Sequence, residues 1–434
     1  MMASGGLVTH PAFREALFGY AFYYPLFMAW LWIIGGLWYF ARWENSHHDG
    51  PEHPPEGQPQ PPASILIPCH NEAENLRDTL AYALATEYPE FEVVAINDGS
   101  SDHTGAILDE VARGEARLRV VHLVSNQGKA IALRAGALAA RHEFLICIDG
   151  DALLHPTAVA WLMSHLASGR RVGAVTGNPR VLNRSTLLGK LQVGEFSSII
   201  GLMKRAQRIY GRIFTVSGVI AGFRRTALHR VGYWAEDMVT EDIDISWRLQ
   251  MDHWDIRFEP DALCYIYMPE TFGGLWKQRL RWAQGGVEVL RRHGSHLLKW
   301  RQRRFWGVAL EYLASVLWAF SMLALILIYF AGLLVPLPPA WRIASLLPQW
   351  NGIVLGLTAL VQFAVSLFID HRYEPRRRFL RNYFWIIWYP LAFWLVSFLT
   401  VLAAVPKTLL SGTPRRARWV SPDRGIRAIE GEPE

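Results

Sequence analysis

Hydrophobic residues in this chain form four long uncharged runs, with shorter runs between the first and the second. The long runs cover residues 17–41, 312–341, 343–369 and 382–406. A helix needs roughly 20 apolar residues to cross a bilayer, so each run is long enough. Prolines and an asparagine between 336 and 351 break the helix there, which places two spans near 312–335 and 352–369. The first run lacks a small-residue cleavage site and therefore predicts a retained anchor.

After the first long run, short apolar segments alternate with amphipathic ones. Residues 42–62 are rich in proline, histidine and glutamate without periodicity, which predicts a linker. Strands are predicted at 64–68, 91–97, 119–124, 144–148 and 172–176, and helices at 74–85, 104–112, 128–141 and 156–167. Strands that alternate with helices of this length indicate an α/β domain with a mostly parallel sheet and helices on both faces.

Composition agrees with a soluble domain attached to membrane helices. The 434 residues are 51% hydrophobic and 19% charged, and they include 19 tryptophans. Arginines beside the apolar runs account for much of the net charge of +6, and such residues mark the cytoplasmic side of a membrane protein. This explanation leaves little reason to expect a nucleic acid as partner. The three cysteines lie far apart without a CxxC spacing, which indicates neither a disulfide framework nor a zinc site.

Polar residues follow four predicted strands, at the sheet edge where α/β folds bind ligands. Asp149 and Asp151 follow the strand 144–148, and Gly150 between them allows a sharp turn toward a shared divalent cation. The same residue types are common in ordinary turns. The other polar segments are 68–72, 97–100 and 126–129. Four such segments favour one nucleotide-sized site, while the lack of a GxGxxG or P-loop motif removes support for dinucleotide or ATPase functions.

Two later segments carry charged residues of catalytic type. Glu241 and Asp242 open a predicted helix, where acids are also favoured by the helix dipole, and Asp244 should face elsewhere because it lies about 200° around that helix. Farther on, an apolar stripe recurs at helical spacing and consists of Trp276, Leu280, Ala283, Val287 and Leu290. The opposite side carries Gln278, Arg281 and Trp282. This pattern predicts a helix on the membrane surface, with a plain basic surface helix as the alternative.

The ordered segments ILIPCHNEAEN, INDGSSD, NQGKA, CIDGDA, TEDIDISW and QRLRW resemble the processive family 2 glycosyltransferases, which include cellulose, chitin and hyaluronan synthases. The likeness extends over nearly the whole chain through three further segments, VTGNPRV, QVGEFSSIIGL and RARWVSPDRG. With these segments the chain most resembles the bacterial synthases of poly-β-1,6-N-acetyl-D-glucosamine. The resemblance implies a GT-A, Rossmann-like cytoplasmic domain flanked by transmembrane helices. The implied parts are a tail (1–16), an anchor (17–41), a linker (42–62), the GT-A domain (63–270), interface helices (271–305), a transmembrane region (306–406) and a basic tail (407–434).

The resemblance also implies a role for each candidate residue. Asp242 is the expected general base, and Asp149 and Asp151 are the expected ligands of Mg2+ or Mn2+, with Asp149 also touching the nucleotide. Asp98 is expected to hold the uridine; the family often has a second acid where this chain has Asn97, so the expectation falls on Asp98. Further substrate contacts are implied for Lys129, Glu241, Gln278, Arg281 and Trp282.

The activity that the resemblance implies is polymerisation of N-acetylglucosamine from UDP-N-acetylglucosamine into poly-β-1,6-N-acetyl-D-glucosamine, a biofilm polysaccharide. Inversion at the anomeric carbon and export across a bacterial inner membrane are part of this expectation. The implied partners are the growing polysaccharide, membrane lipid, a small membrane subunit and cyclic di-GMP. The alternatives are a chitin- or hyaluronan-type synthase, a non-processive transferase onto a lipid carrier, and a transporter or scaffold with an inactive nucleotide-binding domain.

The side on which the C-terminal tail lies is left open by the sequence. One span before the α/β domain and three after it would place the tail on the opposite side of the membrane. Its basic residues favour the cytoplasmic side instead. Pro390 inside the last run is compatible with a kinked or re-entrant segment, which would remove the conflict.

Overall fold

An eight-stranded sheet organises the soluble part of this computed structural model, which describes residues 11–45, 50–343, 345, 350–374, 379–387, 389–411 and 416. The strands are β1 (Ala63–Cys69), β2 (Phe91–Asp98), β3 (Leu118–Leu123), β4 (Phe144–Ile148), β5 (Leu153–Leu154), β6 (Val172–Val181), β7 (Ile220–Arg224) and β8 (Asp255–Ile266). Their order is β3-β2-β1-β4-β7-β6-β8-β5. β7 is antiparallel to both β4 and β6, so the α/β prediction is confirmed but the sheet is mixed.

Helices cover both faces of this sheet. They are α2 (Leu76–Leu84), α3 (Thr104–Gly114), α4 (Lys129–Ala139), α5 (Ala158–Ala167), α6 (Leu187–Glu195), α7 (Met203–Ile209), α8 (Arg225–Val231) and α9 (Glu241–Met251), with a π-helical segment Phe196–Leu202 between α6 and α7. Successive strand residues point to opposite faces, and Ile65 and Leu66 of β1 accordingly belong to two different apolar clusters. Burial on both faces explains why the central strands β1 and β4 consist almost entirely of apolar residues.

Three helices in the described part of the chain are long and apolar enough to cross a membrane. They are α1 (Pro11–Tyr39, prolonged by a π-helical turn to Glu44), α11 (Trp306–Leu334) and α12 (Trp350–Asp370). The Tyr20 hydroxyl of α1 donates to the Ala314 carbonyl of α11 at 2.6 Å, and the Trp318 indole of α11 donates to the Ala21 carbonyl at 3.0 Å. These helices coincide with the first three predicted spans.

The fourth apolar run does not form one helix. It divides into α13 (Asn382–Ile386) and α14 (Tyr389–Leu410), and Pro390 falls in the first turn of α14, where its missing N–H costs no hydrogen bond. α13 lies on α6, with Ile386 against Gly194. The far end of α14 returns to α10 (Phe272–Leu297), where Arg291 donates to the Thr408 carbonyl at 2.7 Å. Both ends of α14 therefore lie on the side of the α/β domain.

This course of α14 bears directly on the position of the C-terminal tail. Arg416 contacts Gln127 at 2.5 Å and Glu236 at 3.6 Å, and both of these residues belong to the α/β domain. Of the two courses that the sequence left open, the packing of α14 along α10 favours a segment that returns to the domain over a third span after it. Val287 in the predicted stripe of α10 is buried and its other four members are half-buried, partly because α14 covers this helix.

A buried network of charges fixes two membrane helices to the sheet. Arg205 of α7 pairs with Glu44 at the end of α1 at 2.5 Å and with Asp370 at the end of α12 at 3.1 Å. Arg180 of β6 pairs with the same Asp370 at 2.5 Å and with Glu374 at 2.7 Å. Each of these buried charges has an opposite partner, which is the condition for burying charge without a large penalty. The network sets the position of α1 and α12 relative to the sheet.

Candidate active site

The end of β2 is tied to the start of α4 through Asp98. This side chain is fully buried, and its two carboxylate oxygens accept hydrogen bonds from the backbone N–H groups of Gln127 and Gly128, each at 2.8 Å. Gly128 has a φ of 95°, which favours glycine. Asn97 instead pairs with His122 at 3.0 Å. Asp98 therefore orders the loop that begins α4, and its contact with uridine stays a prediction because its carboxylate has no exposed surface here.

Lys129, the first residue of α4, brings the ends of three elements together. Its Nζ lies 2.5 Å from Asp149 Oδ1 and 3.2 Å from Glu241 Oε1, and it donates to the Gly218 carbonyl at 3.2 Å. Burial raises the pKa of Asp149, which Lys129 opposes and the Asp151 carboxylate reinforces. The ammonium group thus lies among the carboxylates of Asp149, Glu241 and Asp242. Three segments that are far apart in sequence meet at this group. They are the DGD turn (149–151), the NQGK loop (126–129) and the TED helix, which is α9 with the preceding Thr240.

Asp242 lies beside the same cluster. A Cβ placed on Gly218 would be 3.1 Å from Asp242 Oδ2 and 3.4 Å from Lys129 Nζ, so both charged groups line the backbone at this glycine. Burial and the adjacent Glu241 raise the pKa of Asp242 to about 6, although Lys129 and Arg281 oppose the shift. The carboxylate is therefore ionised near neutral pH and is a stronger base than an ordinary aspartate. This combination suits a general base.

Asp244 faces away from the pocket, as its position on the helix predicts. It is fully buried, accepts a hydrogen bond from Arg248 at 2.6 Å and contacts His293 Nε2 at 2.9 Å. Although burial alone would raise the pKa of Asp244, His293 and Arg248 together lower it. His293 belongs to α10, so this pairing fixes α10 against α9.

The QRLRW motif on α10 divides into buried and exposed parts. Arg279 is buried, pairs with Glu195 of α6 at 2.6 Å and places its guanidinium 4.2 Å from the centroid of the Trp282 ring. Its guanidinium also donates to Gln278 Oε1 at 2.8 Å. Arg281 is exposed, and its charge acts on Asp242. The sequence alone did not single out Arg279. The available signal for its buried ion pair was Glu195, the one acid of the QVGEFSSIIGL segment.

A buried lysine that the sequence did not single out lies behind the Asp242 pocket. Lys204 of α7 donates to Thr176 Oγ1 at 3.1 Å, and the same oxygen accepts from the Ser217 N–H at 2.8 Å. Burial lowers the pKa of Lys204 to about 7, although Asp242 opposes this shift. Since Ser217 precedes Gly218, Lys204 supports the wall against which the Asp242 carboxylate lies.

The DGD turn carries two carboxylates of the kind that bind divalent cations. No three His, Cys, Asp or Glu side chains among the described residues cluster closely enough to hold a metal by themselves. Asp149 and Asp151 provide two carboxylates, which suit a hard cation such as Mg2+ or Mn2+ that also takes water and phosphate oxygens. Gly150 is required at the turn because a Cβ there would lie 2.9 Å from the Pro68 carbonyl.

A family profile matches the part of the chain that carries this site. The profile described as "Glycosyltransferase like family 2" matches residues 59–285, just over half of the chain. The chain belongs to glycosyltransferase family 2. The matched range contains all candidate residues from Asp98 to Trp282. Family membership, the GT-A type of fold and glycosyltransferase activity, all expected from the motifs, are thereby confirmed.

Two curated family members and one solved structure resemble the chain over most of its length. A poly-β-1,6-N-acetyl-D-glucosamine synthase of Staphylococcus epidermidis is 38% identical over 411 residues, covering 94% of this chain and 98% of that protein. The synthase of the same name from Staphylococcus aureus is 35% identical over 413 residues with the same coverage. A mannosyltransferase from Pyrobaculum calidifontis, solved with GDP-Man and Mn2+, is 20% identical, covers 92% of this chain and 98% of its own, and superposes with a TM-score of 0.63.

Proposed function

We propose that this family 2 enzyme polymerises N-acetylglucosamine from UDP-N-acetylglucosamine into poly-β-1,6-N-acetyl-D-glucosamine. The names and the nearly full-length similarity of the staphylococcal proteins support the sugar and the linkage. The observation that carries the chemistry is the meeting of Lys129, Asp149, Glu241 and Asp242 around Gly218. A donor diphosphate at Lys129 would lie next to an acceptor hydroxyl at Asp242.

In the proposed reaction, Asp242 removes the proton of an acceptor hydroxyl while that oxygen attacks C1 of the donor sugar. The new glycosidic bond forms as the bond from C1 to the UDP oxygen breaks, and UDP leaves with the electron pair. Attack from the side opposite UDP inverts the anomeric carbon, which converts an α-linked donor into a β-linked product. Because its pKa is raised, Asp242 accepts the hydroxyl proton more readily than an aspartate with the ordinary pKa would.

Positive groups on two sides of the pocket suit the donor diphosphate. Lys129 stands at the N-terminus of α4, where backbone N–H groups and the helix dipole also attract phosphate. Arg281 is exposed on α10 and offers paired donors to phosphate oxygens. Asp149 and Asp151 would hold Mg2+ or Mn2+, which when bound would offset the charge on departing UDP. Their two carboxylates fit such an ion.

The acceptor and uridine contacts complete the proposal. Trp282 is half-buried with its ring 6.4 Å from that of Phe196, and we assign to it stacking on the terminal acceptor sugar. Gln278 lies on the same helix and is assigned to the diphosphate. Asp98 is assigned to the uridine, for which the Gln127–Gly128 loop would have to move away from its carboxylate.

A cavity between the membrane helices supports coupling of synthesis to export. It has a volume of about 220 Å³ and lies between α1, α11, α12, α14 and the segment after α6. Trp318 and Tyr389 supply aromatic faces for sugar rings, and Gln362 donates to Ser198 at 2.7 Å within the same lining. Glu195, the partner of Arg279, also lines it, so the cavity begins beside the QRLRW helix. We assign to it the start of the export route.

The apolar helices and the charges that flank them support a membrane location. We place the enzyme in a bacterial inner membrane, with residues 63–270 as the cytoplasmic catalytic domain, 271–305 as the interface segment and 306–406 as the membrane region. The contact of Arg416 with the catalytic domain supports a cytoplasmic tail. A small membrane subunit and activation by cyclic di-GMP remain expectations from the resemblance.

The decisive experiment measures UDP release and polymer formation by the full-length protein in membranes. UDP-N-acetylglucosamine and UDP-glucose are compared with Mg2+ present, beside an Asp242→Asn variant. A polymer from the N-acetylated donor alone, digested by a β-1,6-hexosaminidase and absent in the variant, supports the proposal. A chitinase-sensitive product points to a chitin-type synthase, UDP release without polymer to a lipid-carrier transferase, and no release with any donor to a non-catalytic protein.

A further inference from the structure

Five arginines from three separate parts of the chain converge on a cavity at the other end of α9 from Asp242. The cavity has a volume of about 460 Å³, and its arginines are Arg171, Arg212, Arg301, Arg303 and Arg304. One precedes β6, one follows α7, and three lie in the 3-10 helical segment Trp300–Phe305 that leads into α11. Asp242 begins α9 whereas Gln250, one residue from its end, lines the cavity, so this site is distinct from the active site.

The positive charge in this cavity is not neutralised by the protein. The one aspartate in its lining, Asp255, is already paired with Arg208 at 3.1 Å and Arg257 at 3.0 Å, and neither of these arginines lines the cavity. Within the described ranges, none of the five lining arginines has a carboxylate at ion-pair distance. Among the described residues, the Nε atom of Arg212 is buried and has no hydrogen-bond acceptor. Such an arrangement calls for an external anion, since an unpaired buried donor is costly.

The Arg212 environment agrees with an unfilled requirement for negative charge. Burial lowers the pKa of Arg212, Asp255 opposes this, and the neighbouring Arg304, Arg208 and Arg171 lower it further. The arginines therefore repel one another across the cavity. A phosphate group would relieve this repulsion and could accept paired hydrogen bonds from guanidinium groups.

The position of the cavity favours a lipid headgroup as the source of such a phosphate. Trp306, the first residue of the membrane helix α11, directly follows the lining segment, and Trp300 at the start of that segment is 69% exposed. Arg303 lies over the Trp300 ring at 5.3 Å. Tryptophan at the end of a membrane helix marks the level of lipid headgroups, and arginines beside it attract anionic lipids.

We propose that this basic cavity is a binding site for the phosphate headgroup of an anionic phospholipid. The headgroup phosphate would lie among the five arginines while its acyl chains follow the exposed apolar surface of α11. Occupancy would hold the 3-10 segment against the end of α9, the helix that carries Asp242. The inference rests on charge and position alone and stands whatever polymer the enzyme makes.

The test uses purified full-length protein and native mass spectrometry of the lipids that it retains. Phosphatidylglycerol and zwitterionic phosphatidylcholine are offered in equal amounts to the wild type and to an Arg301→Gln/Arg304→Gln variant. The control is Arg113→Gln/Arg141→Gln, which removes two exposed arginines on the β2–β3 side of the sheet. We expect roughly tenfold lower retention of phosphatidylglycerol in the cavity variant than in the wild type and the control.

Two outcomes overturn the proposal. One is equal retention of phosphatidylglycerol by the cavity variant and the control. The other is displacement of the lipid by excess inorganic phosphate, which would make the cavity a site for free phosphate. Thermal melting establishes that each variant is folded, and Arg171→Gln, which changes one exposed side chain elsewhere in the same cavity, is measured in the same way should the double variant not fold.

Discussion

Arg279 of α10 and Glu195 of α6 form a buried ion pair at 2.6 Å, next to the membrane cavity and the Trp282 ring. Arg281, two residues later on the same helix, is exposed near Asp242. Two arginines of one five-residue motif thus have different surroundings. The first holds α10 on the catalytic domain, and the second is available to substrate.

Substitution of these two arginines should separate stability from activity. Arg279→Met leaves the Glu195 charge buried and unpaired, and we expect the free energy of unfolding to fall by roughly 3–5 kcal/mol. Arg281→Gln should leave the melting temperature unchanged and lower kcat/KM for the UDP-sugar, because it removes the phosphate contact that we propose for this side chain. Thermal melting and UDP release measure the two effects. The double variant Arg279→Met/Glu195→Gln should recover part of the lost stability, and no recovery would contradict the pairing.

Asp242→Asn should abolish most of the proton transfer without removing the donor. We expect UDP release to fall by about 100- to 10,000-fold, the range typical of a lost general base, while UDP-N-acetylglucosamine still binds. Asp252→Asn is the matched control, since Asp252 lies at the other end of the same helix and pairs with Arg230. Isothermal titration measures donor binding in each variant. A variant that keeps more than a tenth of the wild-type rate would rule out Asp242 as the base.

The raised pKa of Asp242 predicts the acidic limb of the pH profile. The group must be deprotonated to accept a proton, and its pKa is about 6 instead of the ordinary value near 3.8. The value of kcat/KM should therefore be constant above that pH and fall about tenfold for each pH unit below it. Initial rates of UDP release between about pH 4.5 and 8 test this. If kcat/KM falls only below about pH 4, burial does not raise the pKa of Asp242 as the structure indicates.

The sequence predicted the first half of the catalytic domain closely and its later half much less. β4 (Phe144–Ile148) has the predicted bounds because an apolar run ends abruptly at the DGD turn. The reversal of β7 between β4 and β6 was not predicted, since strand direction depends on pairing between distant segments. The roles of Arg279 and Lys204 were missed for the same reason, because each is defined by a partner far along the chain. The course of α14 was likewise not predictable, because it depends on contacts with α10.

Helix α10 approaches the TED helix closely where Gly285 faces Thr240. A Cβ on Gly285 would lie 1.8 Å from Thr240 Oγ1, whereas a Cβ on Gly294 of the same helix would meet no atom within 4 Å. Gly285→Ala should therefore push α10 away from α9, cost about 1–3 kcal/mol of stability and lower activity by up to about 100-fold, because Arg281 and Trp282 would move relative to Asp242.

Gly294→Ala is the control and should keep full activity, with stability unchanged or raised by up to about 1 kcal/mol, as expected for alanine in a helix. Melting temperature and UDP release are measured on both variants. Thr240→Gly added to Gly285→Ala removes the clashing side chain while keeping a residue tolerated before a helix, so it should restore part of the activity. If Gly285→Ala behaves like Gly294→Ala, close packing at Thr240 does not position the QRLRW residues, and the pairing of His293 with Asp244 would be the contact that holds α10 in place.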